Sequence, residues 1–143
     1  MLAGLFIGLE RQLLGKPVGI RTSILICLGT YVFVKLGATE LGGGDDTTRI
    51  IGQIITGIGF LGAGVILARD GMVLGVTSAA AIWMLASIGS VIGKDHYLTG
   101  VKLSILTVFI LVGVDLLENS FKTLQKGVHR QFKLREGGSN IER

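Results

Sequence analysis

The chain has 143 residues, the length of a single domain, and 49% of them are apolar whereas only 17% are charged. This apolar share excludes a disordered chain, and the presence of only one cysteine, Cys27, excludes a disulfide-rich scaffold. The net charge of +4 does not indicate nucleic-acid binding, because six of the 14 basic residues follow Glu118, beside an apolar segment. The composition predicts an integral membrane protein whose surroundings are the lipid bilayer.

Five apolar stretches follow one another along the chain. They are Met1–Leu9, Thr22–Leu36, Ile50–Leu67, Val76–Ile92 and Leu98–Leu117. The first is too short to cross a bilayer and is expected to be a helix that is short or truncated at its beginning. A helix of 18 residues covers about 27 Å, close to the thickness of the hydrocarbon core, so the other four are predicted spans. We predict an all-α, polytopic transmembrane bundle of about five helices over residues 1–118, followed by a basic cytoplasmic tail over 119–143.

The distribution of lysine and arginine predicts the orientation in the membrane. If the five helices alternate in direction, one side receives the Glu10–Arg21 segment, the Ala68–Gly75 turn and the tail, with ten basic residues in all. The other side receives four. Because cytoplasmic loops are enriched in basic residues, the tail and the Glu10–Arg21 segment are expected in the cytoplasm.

Glycines are concentrated in the third stretch. The segment Gly57-Ile-Gly-Phe-Leu-Gly62 matches a dinucleotide-binding pattern, but it lies inside an uncharged span rather than between a strand and a helix. We interpret Gly57, Gly59, Gly62 and Gly64 as helix-packing positions, because small residues let membrane helices approach closely. The alternative is a broken helix that lines a substrate path. Trp83 lies too deep for an interfacial belt and is expected to pack between helices.

Polar residues near the ends of the spans are candidates for function. Arg49, Gln53 and Thr56 share one helical face by their spacing. Gln53 is predicted either to form an interhelical hydrogen bond or to belong to a polar binding site. Arg49 is expected on the external side and Glu10 on the cytoplasmic side, so the two should not pair. Thr77 and Ser78 open the fourth stretch, where capping of the helix is the expected role.

The sequence contains no pattern typical of an enzyme. Asp115 and Glu118 could form a site for a hard cation, but such a pair is more often a solvated helix end. His96 and His129 have no companions at metal-ligand spacing, and neither a nucleophile–base set nor a phosphate-binding loop is present. We expect no catalytic residues, no resident metal site and no cofactor, with Mg²⁺ as the one ion to consider.

Several motifs together resemble those of the MgtC/SapB family of bacterial inner-membrane proteins. The motifs are Gly8-Leu-Glu-Arg-Gln12, Gly19-Ile-Arg-Thr22, Arg49-Ile-Ile-Gly-Gln53, the glycines from Gly57 to Gly64, Gly75-Val-Thr-Ser-Ala-Ala80 and Trp83. The polar residues in these motifs are the candidate functional residues: Glu10, Arg11, Gln12, Arg21, Thr22, Arg49, Gln53, Thr77 and Ser78.

The resemblance implies a multi-pass inner-membrane domain of about five helices, frequently followed by a small cytoplasmic domain for which this tail is too brief. It also implies a role in growth at low magnesium and in survival inside host cells, with binding to other membrane proteins, including the ATP synthase. Two further alternatives are a carrier or channel for magnesium or another small solute, and a module that only forms homo-oligomers. A magnesium path needs oxygen ligands, and neither Ile50–Leu67 nor Val76–Ile92 contains an acidic residue, so regulation by binding is favoured.

Overall fold

The computed structural model describes residues 2–39, 44–69 and 71–120. Within them the helices are α1 (Leu2–Leu13), α2 (Ile20–Thr39), α3 (Gly44–Gly64), α4 (Val76–Gly93) and α5 (Tyr97–Ser120). Between α3 and α4 lies an antiparallel hairpin of β1 (Leu67–Arg69) and β2 (Met72–Leu74), in which Leu67 is opposite Leu74. The predicted all-α bundle is confirmed, whereas the hairpin was not predicted. Of the predicted basic tail, residues 121–143 lie outside the described residues.

The chain divides into two compact units, one ending at Val108 and the other starting at Phe109. The first unit contains α1 to α4, the hairpin and the beginning of α5. All the interhelical contacts described below lie within this first unit.

Within the described residues, three helices are long and apolar enough to cross a membrane: Ile20–Ala38, Val76–Gly93 and Tyr97–Leu117. They correspond to the second, fourth and fifth apolar stretches. The bounds predicted for the third span, Ile50–Leu67, are wrong, because α3 begins at Gly44 and ends at Gly64. The mean hydropathy of α3 is lowered by Arg49, Gln53 and several glycines. This helix is therefore not one of the three candidate spans.

The backbones of α1 and α2 cross in close contact at two glycines. A Cβ atom added at Gly4 would lie 2.7 Å from the carbonyl oxygen of Ser23, and one added at Gly8 would lie 2.6 Å from the Cα of Ile20. Ile7, between these glycines, is fully buried. The short first helix is therefore held tightly against α2 along its length.

A second close crossing joins α2 to α4. A Cβ at Gly89 would lie 2.5 Å from the carbonyl oxygen of Cys27, and one at Gly93 would lie 2.8 Å from the Cβ of Val34. Leu85 lies in the same interface and is fully buried. The tightest glycine contacts of the first unit thus include positions on α1 and α4 that sequence reasoning did not select.

The turn into α4 requires a glycine. Gly75 has φ +88°, and a side chain there would collide with the carbonyl oxygen of Val65. Gly75 also occupies the N-cap position of α4, which makes no side-chain capping hydrogen bond. The predicted capping role of Thr77 and Ser78 is therefore wrong, because both already lie inside the first turn of the helix.

Candidate functional site at the junction of α1 and α4

Arg11 joins the end of α1 to the beginning of α4. Its side chain is buried, with 1% exposed, and its terminal nitrogen donates a hydrogen bond of 2.5 Å to the hydroxyl oxygen of Ser78. Its Nε donates to the carbonyl oxygen of Pro17, at 3.3 Å, in the turn between α1 and α2. Ser78 is also buried. One guanidinium therefore connects two helices and a turn, which suits the fixed fork of donors in arginine.

A second charged side chain is buried next to Arg11. Glu10 is 8% exposed and precedes Arg11 in the last turn of α1. Burial of charge costs free energy unless polar contacts within the protein compensate for it. Two charged side chains buried at neighbouring positions are typical of a site kept for a role beyond packing.

The turn between α1 and α2 is held by local polar contacts. The Oε1 of Gln12 accepts a hydrogen bond of 3.4 Å from the backbone nitrogen of Ile20, in the first turn of α2. The hydroxyl of Ser23 donates to the carbonyl oxygen of Val18, at 3.1 Å. Val18 has φ +69°, a conformation that is strained for a β-branched residue. The turn that presents its carbonyl group to Arg11 is therefore held in one conformation.

The remaining predicted residues of these motifs are not buried in the junction. Arg21, Thr22 and Thr77 are exposed. The structure thus brings together the buried Arg11 and Ser78, with the buried Glu10 and the exposed Gln12 next to Arg11 in the chain.

Arg49 and Gln53 lie at the opposite end of α2 from Glu10. Gly8 contacts Ile20 at the start of α2, whereas Gly37, near its end, contacts Ile50. The 20 residues of α2 span about 30 Å. Glu10 and Arg49 are therefore too far apart to pair, as the charge distribution predicts.

An ion pair that sequence reasoning missed lies at this second end. The ammonium of Lys35 donates to both carboxylate oxygens of Asp95, at 2.6 Å, and the hydroxyl of Tyr97 donates to Oδ1 of Asp95, at 2.6 Å. These hydrogen bonds, that from Lys35 above all, hold the pKa of Asp95 below its ordinary value. The signal in the sequence was a lone lysine at the end of an apolar span, which needs a partner at the interface.

The glycines of α3 differ in their surroundings. A Cβ at Gly62 would lie 3.7 Å from the side chain of Ala79 and 3.8 Å from the indole of Trp83, an ordinary packing distance. A Cβ at Gly57, Gly59 or Gly64 would meet nothing within 4 Å among the residues that the structure describes. Gly62 therefore faces α4, whereas the packing role of the other three stays a prediction about a surface outside this chain.

Two grooves run beside α3. The one between α2 and α3 has a volume of about 630 Å³ and is lined by Thr30, Phe33, Leu36, Gln53, Ile54 and Leu61, among others. The one between α3 and α4 measures about 240 Å³ and is lined by four isoleucines of α3 together with Trp83 and Ala86 of α4. Trp83 lines this groove and 41% of it is exposed there, so its packing between helices stays a prediction. Among the described residues, no three His, Cys, Asp or Glu side chains are grouped to hold a metal ion.

Comparison with known proteins gives one consistent result. The sequence model of the MgtC family matches residues 1–120. The chain is 39% identical over 140 residues to "Putative magnesium transporter YhiD" of Escherichia coli (strain K12), which covers 93% of this chain and 64% of that protein. It is 41% identical over 107 residues to "Protein MgtC" of Salmonella typhimurium (strain LT2), covering 74% of this chain and 45% of that protein.

A third relative is "Protein SrpB" of Synechococcus elongatus, 35% identical over 139 residues, which covers 88% of this chain and 72% of that protein. No solved structure matches the chain. The chain spans less than two thirds of the length of the relatives YhiD and MgtC.

Proposed function

The chain belongs to the MgtC family, and we propose that it supports adaptation to low magnesium by binding and regulating other membrane proteins, such as the ATP synthase or transporters. It is a multi-pass protein of the bacterial inner membrane and related to magnesium-linked proteins. In this proposal it acts without catalysis, through helix faces that pack against helices of the partner.

The observation that carries this proposal is the groove between α3 and α4. Its walls include Ile51, Ile55 and Ile58 of α3, with Trp83 on the α4 side. The hydroxyl of Ser87, which also lines it, donates to the carbonyl oxygen of Trp83 in its own helix, so this hydroxyl is satisfied within α4. An apolar groove of this kind accepts a helix of another protein, and a partly exposed tryptophan is a typical anchor of such an interface.

Trp83→Ala is expected to abolish growth support at low magnesium while the protein still accumulates in the membrane, because the anchor of the groove is lost. Growth of a strain that lacks its own family member, carrying the variant, measures this, together with the amount of protein in membranes. Phe109→Ala is the matched control, since it removes an aromatic side chain that is smaller than that of tryptophan but more exposed, on α5. Normal growth with Trp83→Ala would contradict the role of the groove.

Transport of magnesium is the second candidate, supported by the name of the E. coli relative. A magnesium ion gives up its water reluctantly and needs oxygen ligands, whereas both grooves beside α3 are lined mainly by apolar side chains. Purified protein in liposomes under a magnesium gradient distinguishes the two functions. We expect no saturable flux of magnesium. If a saturable flux is observed and Gln53→Leu abolishes it, transport becomes the better proposal and regulation by binding is rejected.

We further propose that the Glu10–Arg21 segment and the tail are cytoplasmic, on the ten-to-four distribution of basic residues. The hydrogen bond from Arg11 to Ser78 supports one part of this, because it requires the α1–α2 turn and the start of α4 to share one end of the bundle. In a Cys27→Ser background, Lys94→Cys should react with an impermeant thiol reagent added to intact cells, and Lys16→Cys should react only after lysis. Labelling of Lys16→Cys in intact cells would reverse the orientation.

A further inference from the structure

The groove between α2 and α3 has the length of one leaflet of the bilayer. Its wall on α2 runs from Thr30 to Gly37, inside the candidate span Ile20–Ala38 and towards one end of it. Its wall on α3 runs from Ile50 to Leu61, which covers about 17 Å of helix. Half of the hydrocarbon core is about 15 Å thick. A transmembrane helix of a partner would cross both leaflets, whereas the acyl chain of a phospholipid occupies one.

The polarity of the α3 wall changes with depth. Arg49, Gln53, Gly57 and Leu61 follow one another at four-residue spacing, so they form one ridge of the helix. The last three line the groove, and Arg49 continues the ridge by one turn towards the membrane surface. The order from the surface inward is therefore a cation, an amide, an open position and an aliphatic side chain. A phospholipid has the matching order of phosphate, ester groups and acyl chain.

The groove has room for an acyl chain below Gln53. A Cβ atom added at Gly57 would meet nothing within 4 Å among the described residues, so the space beside this turn of α3 is open. Phe33 and Leu36 of α2 and Leu61 of α3 line the groove and are exposed. Flexible methylene groups can follow this surface and gain many dispersion contacts with it.

The amide of Gln53 requires more than hydrocarbon in this groove. The hydroxyl of Thr30, the other polar side chain of the described walls, already donates to the carbonyl oxygens of Ile26 and Cys27. The amide of Gln53 makes no hydrogen bond to the described part of the chain. A polar group without a partner is unfavourable in hydrocarbon. The ester carbonyl of a lipid can accept a hydrogen bond from this amide, whereas an acyl chain alone cannot.

We propose that one zwitterionic phospholipid binds in the groove between α2 and α3, with its phosphate at Arg49, an ester group at Gln53 and one acyl chain along the apolar walls. Arg49 is exposed, and its five donors allow it to bind a phosphate in addition to contacts within the chain. Asp45 and Asp46 precede it in α3, so a headgroup with an ammonium beside its phosphate is favoured over a net negative one. This site does not depend on the proposed regulatory function, which uses the groove between α3 and α4.

Titration of the purified full chain in detergent with phosphatidylethanolamine, followed by native mass spectrometry, tests the site. The protein is expected to bind one such lipid per chain. Diacylglycerol with the same acyl chains lacks the phosphate and is expected to bind about tenfold more weakly, because a charge-assisted hydrogen bond is lost. Equal binding of these two lipids would overturn the proposal, and so would stronger binding of phosphatidylglycerol, whose headgroup carries no cation.

Arg49→Gln should lower the affinity for phosphatidylethanolamine by about tenfold and leave the affinity for diacylglycerol unchanged, because only the phosphate contact is removed. Arg21→Gln is the matched control, since Arg21 is an exposed arginine in the first turn of α2, at the opposite end of that helix from the groove. Equal losses for the two variants would show attraction by net charge alone and contradict the site.

Gly57→Leu should abolish binding of the lipid, because the new side chain occupies the open part of the groove without a clash among the described residues. Gly59→Leu is the matched control, since a Cβ at Gly59 also meets nothing within 4 Å in the described part of the chain and Gly59 is not part of the wall. Equal loss of lipid in both variants would overturn the proposal. If the parent protein binds no lipid and Gly57→Leu instead dissociates a dimer or a co-purified protein, another chain covers the groove and the proposal fails.

Discussion

Arg11→Leu is expected to lower the stability of the detergent-solubilised protein by about 3 kcal/mol, because it removes one partner from a buried polar contact. The variant loses the donors to the hydroxyl oxygen of Ser78 and the carbonyl oxygen of Pro17. The hydroxyl of Ser78 then stays buried inside the protein, where water replaces the lost donor poorly. The measurement is the amount of folded protein that remains after heating to a series of temperatures, determined by size-exclusion chromatography. The loss of stability appears as a lower melting temperature.

Arg21→Leu is the matched control for the removal of charge. Arg21 belongs to the same segment but is exposed, so its loss is expected to change the melting temperature little. Arg11→Lys should be intermediate, because a lysine keeps the charge but cannot reproduce two divergent hydrogen bonds. If Arg11→Leu and Arg21→Leu lower the melting temperature equally, Arg11 stabilises the protein only through its charge, and its hydrogen bonds at the junction are unimportant for stability.

Gly8→Ala is expected to destabilise the bundle by about 2 to 3 kcal/mol, because overpacked contacts force rigid neighbours apart. The added methyl group would lie 2.6 Å from the Cα of Ile20 and 3.0 Å from the Cβ of Ser23. The first of these atoms belongs to the backbone of α2, which cannot move away without separating the two helices. Gly8→Leu should consequently fail to accumulate in membranes.

Gly57→Ala provides the comparison, since a Cβ at Gly57 meets nothing within 4 Å in the described part of the chain. Both substitutions replace a helical glycine by alanine, so they share the same gain in helix propensity. Only the variant at Gly8 should lose stability within the monomer. Equal melting temperatures for Gly8→Ala and the parent protein would show that α1 and α2 do not cross as closely as described.

The sequence alone was sufficient to predict the class of fold. Lipid provides no hydrogen-bonding partners, so long apolar stretches must form helices that satisfy their own backbone groups. Hydropathy and length therefore located α2, α4 and α5, and the order of short motifs identified the family. The same reasoning placed Arg49, Gln53 and Thr56 on one face of α3, because the pitch of a helix depends on local geometry alone.

Tertiary structure decided which face of α3 points outward and which glycines lie at the close crossings. Every glycine in these helices has the same intrinsic properties, and only the neighbouring backbone makes Gly4, Gly8 and Gly89 intolerant of a side chain. Likewise, the start of α4 depends on the contact of Gly75 with Val65, which forces the turn and displaces the cap from Thr77.

The contact of Arg11 with Ser78 is the clearest example of a feature that the sequence alone does not predict. Sequence reasoning selected both residues, but 67 positions separate them, and no local pattern indicates that their side chains meet. Their hydrogen bond exists because close packing of α1 on α2, and of α2 on α4, brings the end of α1 to the beginning of α4. Periodicity describes one helix at a time, whereas a contact between helices depends on how the surfaces of both fit together.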